Sequence, residues 1–139
     1  MIVLDTNVVS ELMRSRPTAA VMAWMVRQPR QDLATTTITQ AEILYGIALL
    51  PLGRRKRSLG ADAQRMFEFD FDRILAFDTA AAPHYAEIMS RRRRGGKPMA
   101  VLDAQIAAIA LAAGASVATR DIAGFEGCGV AVINPWMAG

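Results

Sequence analysis

Short apolar runs alternate with longer apolar-periodic stretches along this chain, and cap or turn residues mark the switches. Ile2, Val3 and Leu4 form the first run; Asp5, Thr6 and Asn7 follow; Val8, Val9, Leu12 and Met13 then recur on one helical face. A fully apolar run ended by cap-type residues predicts a buried strand feeding a helix, which Pro17 stops. Thr18 predicts the cap of a second helix to about Gln28, and Leu33 to Thr37 a second strand. Thr37 or Thr39 is the expected cap of a helix running through Glu42 to about Leu50. Gly53 to Ser58, GRRKRS, reads as a basic turn before a helix from about Leu59 to Phe69, with Met66 and Phe69 inward. Ile74 to Phe77 predicts a third strand, with Asp78 and Thr79 as the next cap. A helix ending in Arg91 to Arg94 follows, and then the loop Gly95, Gly96, Pro98. Met99 to Ala113 predicts an apolar helix with Gly114 at its C-terminal cap. Ser116 to Thr119 and Val130 to Ile133 are the last predicted strands.

Strands alternating with helices are the pattern of βαβ units with right-handed crossovers, hence an α/β fold on a small parallel sheet. The 139 residues fit a single domain, and 53% apolar content supplies a full core. Abundant Ala, Ile, Leu, Val and Met with few aromatics favour that arrangement over an all-β sandwich. One segment departs from the usual surface helix: Ala19 to Val26, AAVMAWMV, is eight apolar residues without a polar face. Trp24 in this segment is a candidate contact for a partner.

Charge and cysteine narrow the setting. Net charge is +3 with a pI near 9.6, which permits nucleic-acid binding without establishing it. Cys128 is the single cysteine, so neither an internal disulfide nor a cysteine-rich zinc site is available. A reducing cytoplasm is the expected location, and the start of the chain lacks the pattern of a signal peptide. Met99 to Ala115 falls short of the ~20 apolar residues a bilayer requires and carries Asp103, so no membrane segment is expected.

Four acids stand out. Asp103 sits among apolar neighbours, where an ionised carboxylate is costly unless paired or bound to a cation. In the first helical turn it also gains from the helix dipole, and both readings stand. Glu42 lies in the largely apolar helix ITQAEILYGIALL, where it is either a ligand or an exposed helical acid. Asp5 and Asp121 each follow a predicted strand, as caps or as ligands. Ligand sites of open α/β sheets lie at the carboxyl ends of strands, and all four acids are candidates for that edge. Converging carboxylates repel unless cations intervene, and oxygen donors without Cys or His suit Mg²⁺ or Mn²⁺. His84 is the only histidine, and no G-x-S-x-G turn occurs, which leaves metal-assisted hydrolysis of a phosphodiester. Arg54 to Arg57, and Arg91, Arg92, Arg93 and Arg94 with Lys97, are candidate backbone contacts for nucleic acid or solvated faces; the second run leads into the Asp103 helix.

Across nearly its whole length the chain resembles the PIN-domain family, and within it the toxin ribonucleases of VapBC-type toxin–antitoxin modules, including the FitB-like branch. The likeness rests on MIVLDTNVVSE, TITQAEILYGI, GGKPMAVLDAQIAAIALAAGASVATRD and FEGCGVAVINPW. It implies a three-layer α/β/α sandwich with a four- to five-stranded parallel sheet. It also implies an endoribonuclease using Mg²⁺ or Mn²⁺, with Asp5, Glu42, Asp103 and Asp121 as the metal-binding, catalytic acids. Thr6, Asn7 and Thr119 resemble groups that orient those acids or water. Asp121 stands where similar sequences often carry Asn, and Gly124 where they often carry an acid. The resemblance further implies a cognate antitoxin, an RNA substrate and a homodimer. On this reading the capping role passes to Thr6 or Asn7, leaving Asp5 to the chemistry. Two rivals remain: a receiver-like module phosphorylated on aspartate, and a non-catalytic RNA-binding domain.

Overall fold

The computed structural model describes residues 1–138, and its sheet shows why the first apolar run comes where it does. Strand β1 (Ile2–Leu4) is the centre of a five-stranded sheet of order β3-β2-β1-β4-β5. Its partners are β2 (Leu33–Thr36) on one side and β4 (Ser116–Ala118) on the other; β3 (Ile74–Leu75) and β5 (Val132–Ile133) form the edges. Every pairing is parallel, with Val3 in register with Ala34 and Val117. Among the described residues six α-helices connect the strands: α1 (Thr6–Leu12), α2 (Ala19–Val26), α3 (Thr37–Ala48), α4 (Arg54–Arg65), α5 (Ala82–Arg94) and α6 (Val101–Ala112).

Strand side chains alternate between faces, and this divides the core in two. Val3, Ala34 and Val117 pack with Ile88 of α5 and with Ala104, Ile106, Ala107 and Ala108 of α6. Leu4, Leu33 and Ala118 pack on the other face with Val8 and Val9, Trp24, Ile43, and Ala63 and Phe67. Helices therefore cover both faces, giving the expected three-layer α/β/α sandwich. Burying each Val, Leu or Ile contributes ~1.5–3 kcal/mol, so the central strands are the firmest part of the framework. Alanine dominates α6, which allows close approach to the sheet. Its end is a Schellman turn: Gly114 takes φ +65°, Ala115 N–H donates to Ala110 C=O at 2.8 Å, and Gly114 N–H to Leu111 C=O at 3.1 Å.

Several expectations change. Residues 53–58 are not a basic turn, because α4 already begins at Arg54. Arginine and lysine are good helix formers, and Lys56 Nζ donates to the Ala48 carbonyl at the end of α3, 3.0 Å away. A wide helical turn over Met66–Asp70 then rotates the side chains, so Phe67 is buried and Phe69 exposed. The cap of α3 is Thr36, whose hydroxyl accepts from Thr39 N–H at 3.1 Å. β3, β4 and β5 are shorter than the apolar runs suggested. Phe77 lies beyond β3, stacking edge-on against Tyr85 at 5.6 Å. Trp24 is 4% exposed and belongs to the core, so it is no docking residue; Met22 and Val26 are the outward apolar side chains of α2.

Candidate active site

The carboxyl ends of the three central strands deliver three of the four acids to one place, and the start of α6 brings the fourth. Asp5 follows β1, Asp121 follows β4 by three residues, Glu42 lies on the second turn of α3 after β2, and Asp103 is on the first turn of α6. Together they line a cleft of about 550 Å³, with Thr6, Asn7, Ser10, Glu11, Arg14, Arg120 and Trp136. The juxtaposition expected from the sequence is present.

Asp5 is the most enclosed of the four, at 4% exposed. It is also the N-cap of α1, contrary to the division of roles expected above: Thr6 N–H donates to Asp5 Oδ1 at 2.8 Å. Its second oxygen, Oδ2, accepts from the Thr119 hydroxyl at 2.8 Å. One carboxylate thus caps the helix with one oxygen and faces the threonine with the other. Thr119 also accepts from Asn7 Nδ2 and from Asp121 N–H, both at 3.0 Å. Its hydroxyl therefore has its one donor and two acceptor positions filled. Asn7 completes the ring by accepting from Arg120 N–H at 3.1 Å. Thr6 reaches the other way, donating to Glu42 Oε1 at 2.7 Å and sitting 3.1 Å from the Thr39 hydroxyl. Thr6, Asn7 and Thr119 are thus the side chains that fix Asp5, Glu42 and the backbone at Asp121.

Asp121 bends back on its own loop, where Oδ1 accepts from Gly124 N–H at 3.0 Å. A side chain at Gly124 would collide with this carboxylate: a Cβ there lies 2.8 Å from Asp121 Cγ. A larger residue at this position would therefore displace the Asp121 carboxylate from where it now sits.

Asp103 differs from the other three. Among the described residues no hydrogen-bond donor compensates its charge, and its pKa is pushed up to about 6. Burial is the largest cause, followed by the charges of Asp5, Asp121 and Glu42. Asp5 is also raised, mainly by burial; the Thr119 hydroxyl and Thr6 N–H offset part of this, and the charges of Glu42 and Asp121 add to it.

Among the described residues, no three acids, histidines or cysteines already stand close enough to grip an ion directly. The donor chemistry nevertheless fits a hard cation that keeps much of its water. Mg²⁺ commonly takes only one or two carboxylates and retains several waters. An acid lacking donors, raised by burial and then by its acidic neighbours, is one whose charge such a cation would stabilise.

Sequence reasoning missed other members of the cleft. Arg120 stacks its guanidinium over the Trp136 ring at 5.1 Å and forms no ion pair among the described residues. The signal was present in its position between Thr119 and Asp121. Glu11 and Arg14 form a 3.2 Å pair at the far wall. A larger groove, about 1010 Å³ and mostly apolar, shares Thr6, Ser10, Arg14 and Glu42 with the acid cleft and runs out between α3 and α4 past Arg54 and Arg55. Only the smaller of these two clefts is lined by all four acids. Of the second basic run, Arg91 pairs with Glu87 at 3.6 Å and Arg93, Arg94 and Lys97 are exposed. Arg92 is half-buried and engaged with backbone carbonyls, so its guanidinium is already committed within the chain.

The PIN domain model matches residues 2–126. The chain belongs to the PIN-domain family. It is 42% identical over 137 residues to Toxin FitB of Neisseria gonorrhoeae, covering 98% of this chain and 99% of that protein. It is 41% identical over 141 aligned positions to VapC ribonuclease Y4jK of Sinorhizobium fredii, covering 98% of each. The structure of FitAB bound to an IR36 DNA fragment superposes with a TM-score of 0.92 at 41% identity, covering 100% of this chain and 98% of the other. No helix among the described residues is long and apolar enough to cross a membrane.

Proposed function

We propose that this PIN-domain chain is a divalent-cation-dependent endoribonuclease that acts as the toxin of a toxin–antitoxin pair. The observation that carries the reading is the convergence of Asp5, Glu42, Asp103 and Asp121 on one cleft, with Asp103 left without a donor. Relatives named as a VapC ribonuclease and as Toxin FitB, each matching nearly end to end, support the activity and the biological role. The FitAB structure supports a cognate antitoxin as partner, and the family resemblance supports a homodimer.

In this reading the four acids hold Mg²⁺ or Mn²⁺, which when bound neutralises the cluster and polarises the phosphodiester. Thr119 and Asn7 hold Asp5 in one orientation through Oδ2, so the acid loses little freedom when loaded. Thr6 does the same for Glu42. Asp103, deprotonated above about pH 6, is the acid with spare capacity to orient a water for in-line attack on phosphorus. Arg120, held over Trp136 at the rim, offers a cation to a phosphate oxygen that the acids would otherwise repel.

The test is cleavage of a mixed RNA by the purified chain, with Mg²⁺ and with EDTA, alongside Asp103→Asn. Cleavage that needs Mg²⁺ and disappears in the variant is expected. RNA binding without cleavage under any metal would replace this reading with the non-catalytic one.

A further inference from the structure

We infer that Arg92, on the last turns of α5, is a positioning residue that sets the Asp121 carboxylate for its cation. This rests on the metal-dependent reading above. Arg92 Nε donates to the Lys97 carbonyl at 2.6 Å. Its Nη1 donates to the carbonyls of Gly124, at 3.2 Å, and Glu126, at 2.6 Å. A single guanidinium therefore ties the loop that enters the Asp103 helix to the loop that follows Asp121.

The tie falls on a particular peptide. Gly124 presents its carbonyl to Arg92 and its N–H to Asp121 Oδ1, 3.0 Å away. Arg92 thus acts on Asp121 through one residue, without reaching the cleft. The remainder of that loop is anchored separately, by buried Phe125 and by Cys128 Sγ donating to the Phe125 carbonyl at 2.8 Å. At the other end, Lys97 N–H returns a bond to the Arg92 carbonyl at 3.0 Å, closing the α5 terminus onto the loop before Asp103. Lysine cannot reproduce this, because one ammonium lacks the planar fork that serves carbonyls on two separate segments.

The four arginines at the end of α5 are therefore not equivalent. Arg91, Arg93 and Arg94 are exposed, whereas Arg92 is the half-buried one. Removing it leaves three backbone carbonyls short of a donor and frees the Gly124 peptide to turn, releasing Asp121.

The experiment is a calorimetric Mn²⁺ titration of the full chain, the parent against Arg92→Ala, Arg92→Lys and, as a charge control beside the far edge strand, Arg73→Ala. Loss of a group that orients a metal ligand typically costs 10–100-fold in metal affinity. Arg92→Ala is expected to weaken Mn²⁺ binding on the order of 10-fold or more. Arg92→Lys should recover little of that loss, and Arg73→Ala should match the parent. In RNA cleavage the same variant should need correspondingly more Mg²⁺ for half-maximal rate, with the rate at saturating Mg²⁺ much less affected. Low millimolar guanidinium should restore part of the Mn²⁺ affinity of Arg92→Ala. Gly124→Ala, which crowds Asp121 from the same side, gives a second reading if Arg92→Ala melts too low to titrate, and is expected to weaken Mn²⁺ as well. Parent-like Mn²⁺ affinity in a folded Arg92→Ala, or in Gly124→Ala, overturns the inference while leaving the nuclease reading intact. A parent chain that neither binds Mn²⁺ nor cleaves RNA overturns both.

Discussion

Glu11 and Asp103 line the same cleft and face opposite circumstances. Glu11 is 6% exposed, yet its carboxylate is well supplied. It accepts from the Thr18 hydroxyl, from Thr18 N–H at 3.1 Å, and from the Arg14 guanidinium at 3.2 Å. The Thr18 hydroxyl is the main reason its pKa is lowered, outweighing burial, with Thr18 N–H and Arg14 adding to the effect. Asp103 is less enclosed but has no such donors, and burial with three neighbouring acids raises it to about 6. Enclosure alone therefore does not mark a catalytic acid. The distinction is whether the chain itself supplies the compensating donors: Glu11 has them, and Asp103 has none among the described residues, which is the place the proposed cation would fill.

The largest expected effect tests this contrast directly. Asp103→Asn or Asp5→Asn should lower Mg²⁺-dependent cleavage by at least about 10²–10³-fold, with the circular dichroism spectrum unchanged. Glu11→Gln, in the same cleft, should keep cleavage within an order of magnitude of the parent. Comparable losses in both would erase the distinction.

Thr119→Val should cost roughly 10–100-fold in metal affinity, as typical for a lost outer partner of a ligand. It strips the donor from Asp5 Oδ2 and the acceptor from Asn7 and Asp121 N–H. Thr119→Ser keeps the hydroxyl and should titrate with Mn²⁺ much as the parent does.

The two acids also give opposite pH signatures. Asp103 and Asp5 are raised above the ordinary value of 3.8, so the folded, metal-free protein holds protons that the unfolded chain has released. The Asp103 contribution to stability is present below about pH 4 and lost as pH rises through about 6; Asp5 adds to the loss in the same direction. Metal-free melting temperature should fall over that interval, Asp103→Asn should flatten the fall, and Mg²⁺ should reverse it. Glu11 is lowered, so its contribution is present above its ordinary 4.5 and lost as pH drops below that. Glu11→Gln should therefore flatten the acid limb only. The smallest effect is on neutral-pH stability: Glu11→Ala removes a cap-like acceptor from Thr18 and should lower the melting temperature by about 5 °C. No change at acid or neutral pH would remove Glu11 from its structural role.

Much of this was legible because the relevant signals are local. An apolar run ending in Asp5, and a carboxylate inside the Ala-rich α6, are visible in sequence because burial of charge needs a reason. The alternation of short apolar runs with helical stretches implied a parallel sheet with helices packed on it, and the family resemblance added the layering on both faces. Non-local facts were less accessible. Asp5 serves as cap and cleft acid together because its two oxygens point to partners 1 and 114 residues away. Arg92 resembles its three neighbours in a charge run, and its carbonyl partners lie up to 34 residues downstream. The start of α4 was misplaced because four cations in a helical N-terminus oppose the helix dipole, a penalty that the surrounding structure tolerates. Trp24 was misread because an all-apolar octapeptide gives no phase with which to tell inward from outward.

The central claim is that the acid cleft is completed by a divalent cation, with Asp103 as the acid the chain leaves uncompensated. A calorimetric titration of Mn²⁺ into the parent and into Asp103→Asn at pH 7.5, a buffer pH about 1.5 units above the Asp103 value of about 6, tests it most directly. Saturable binding in the parent that is lost in Asp103→Asn is the predicted result. Identical isotherms for the two proteins would contradict it.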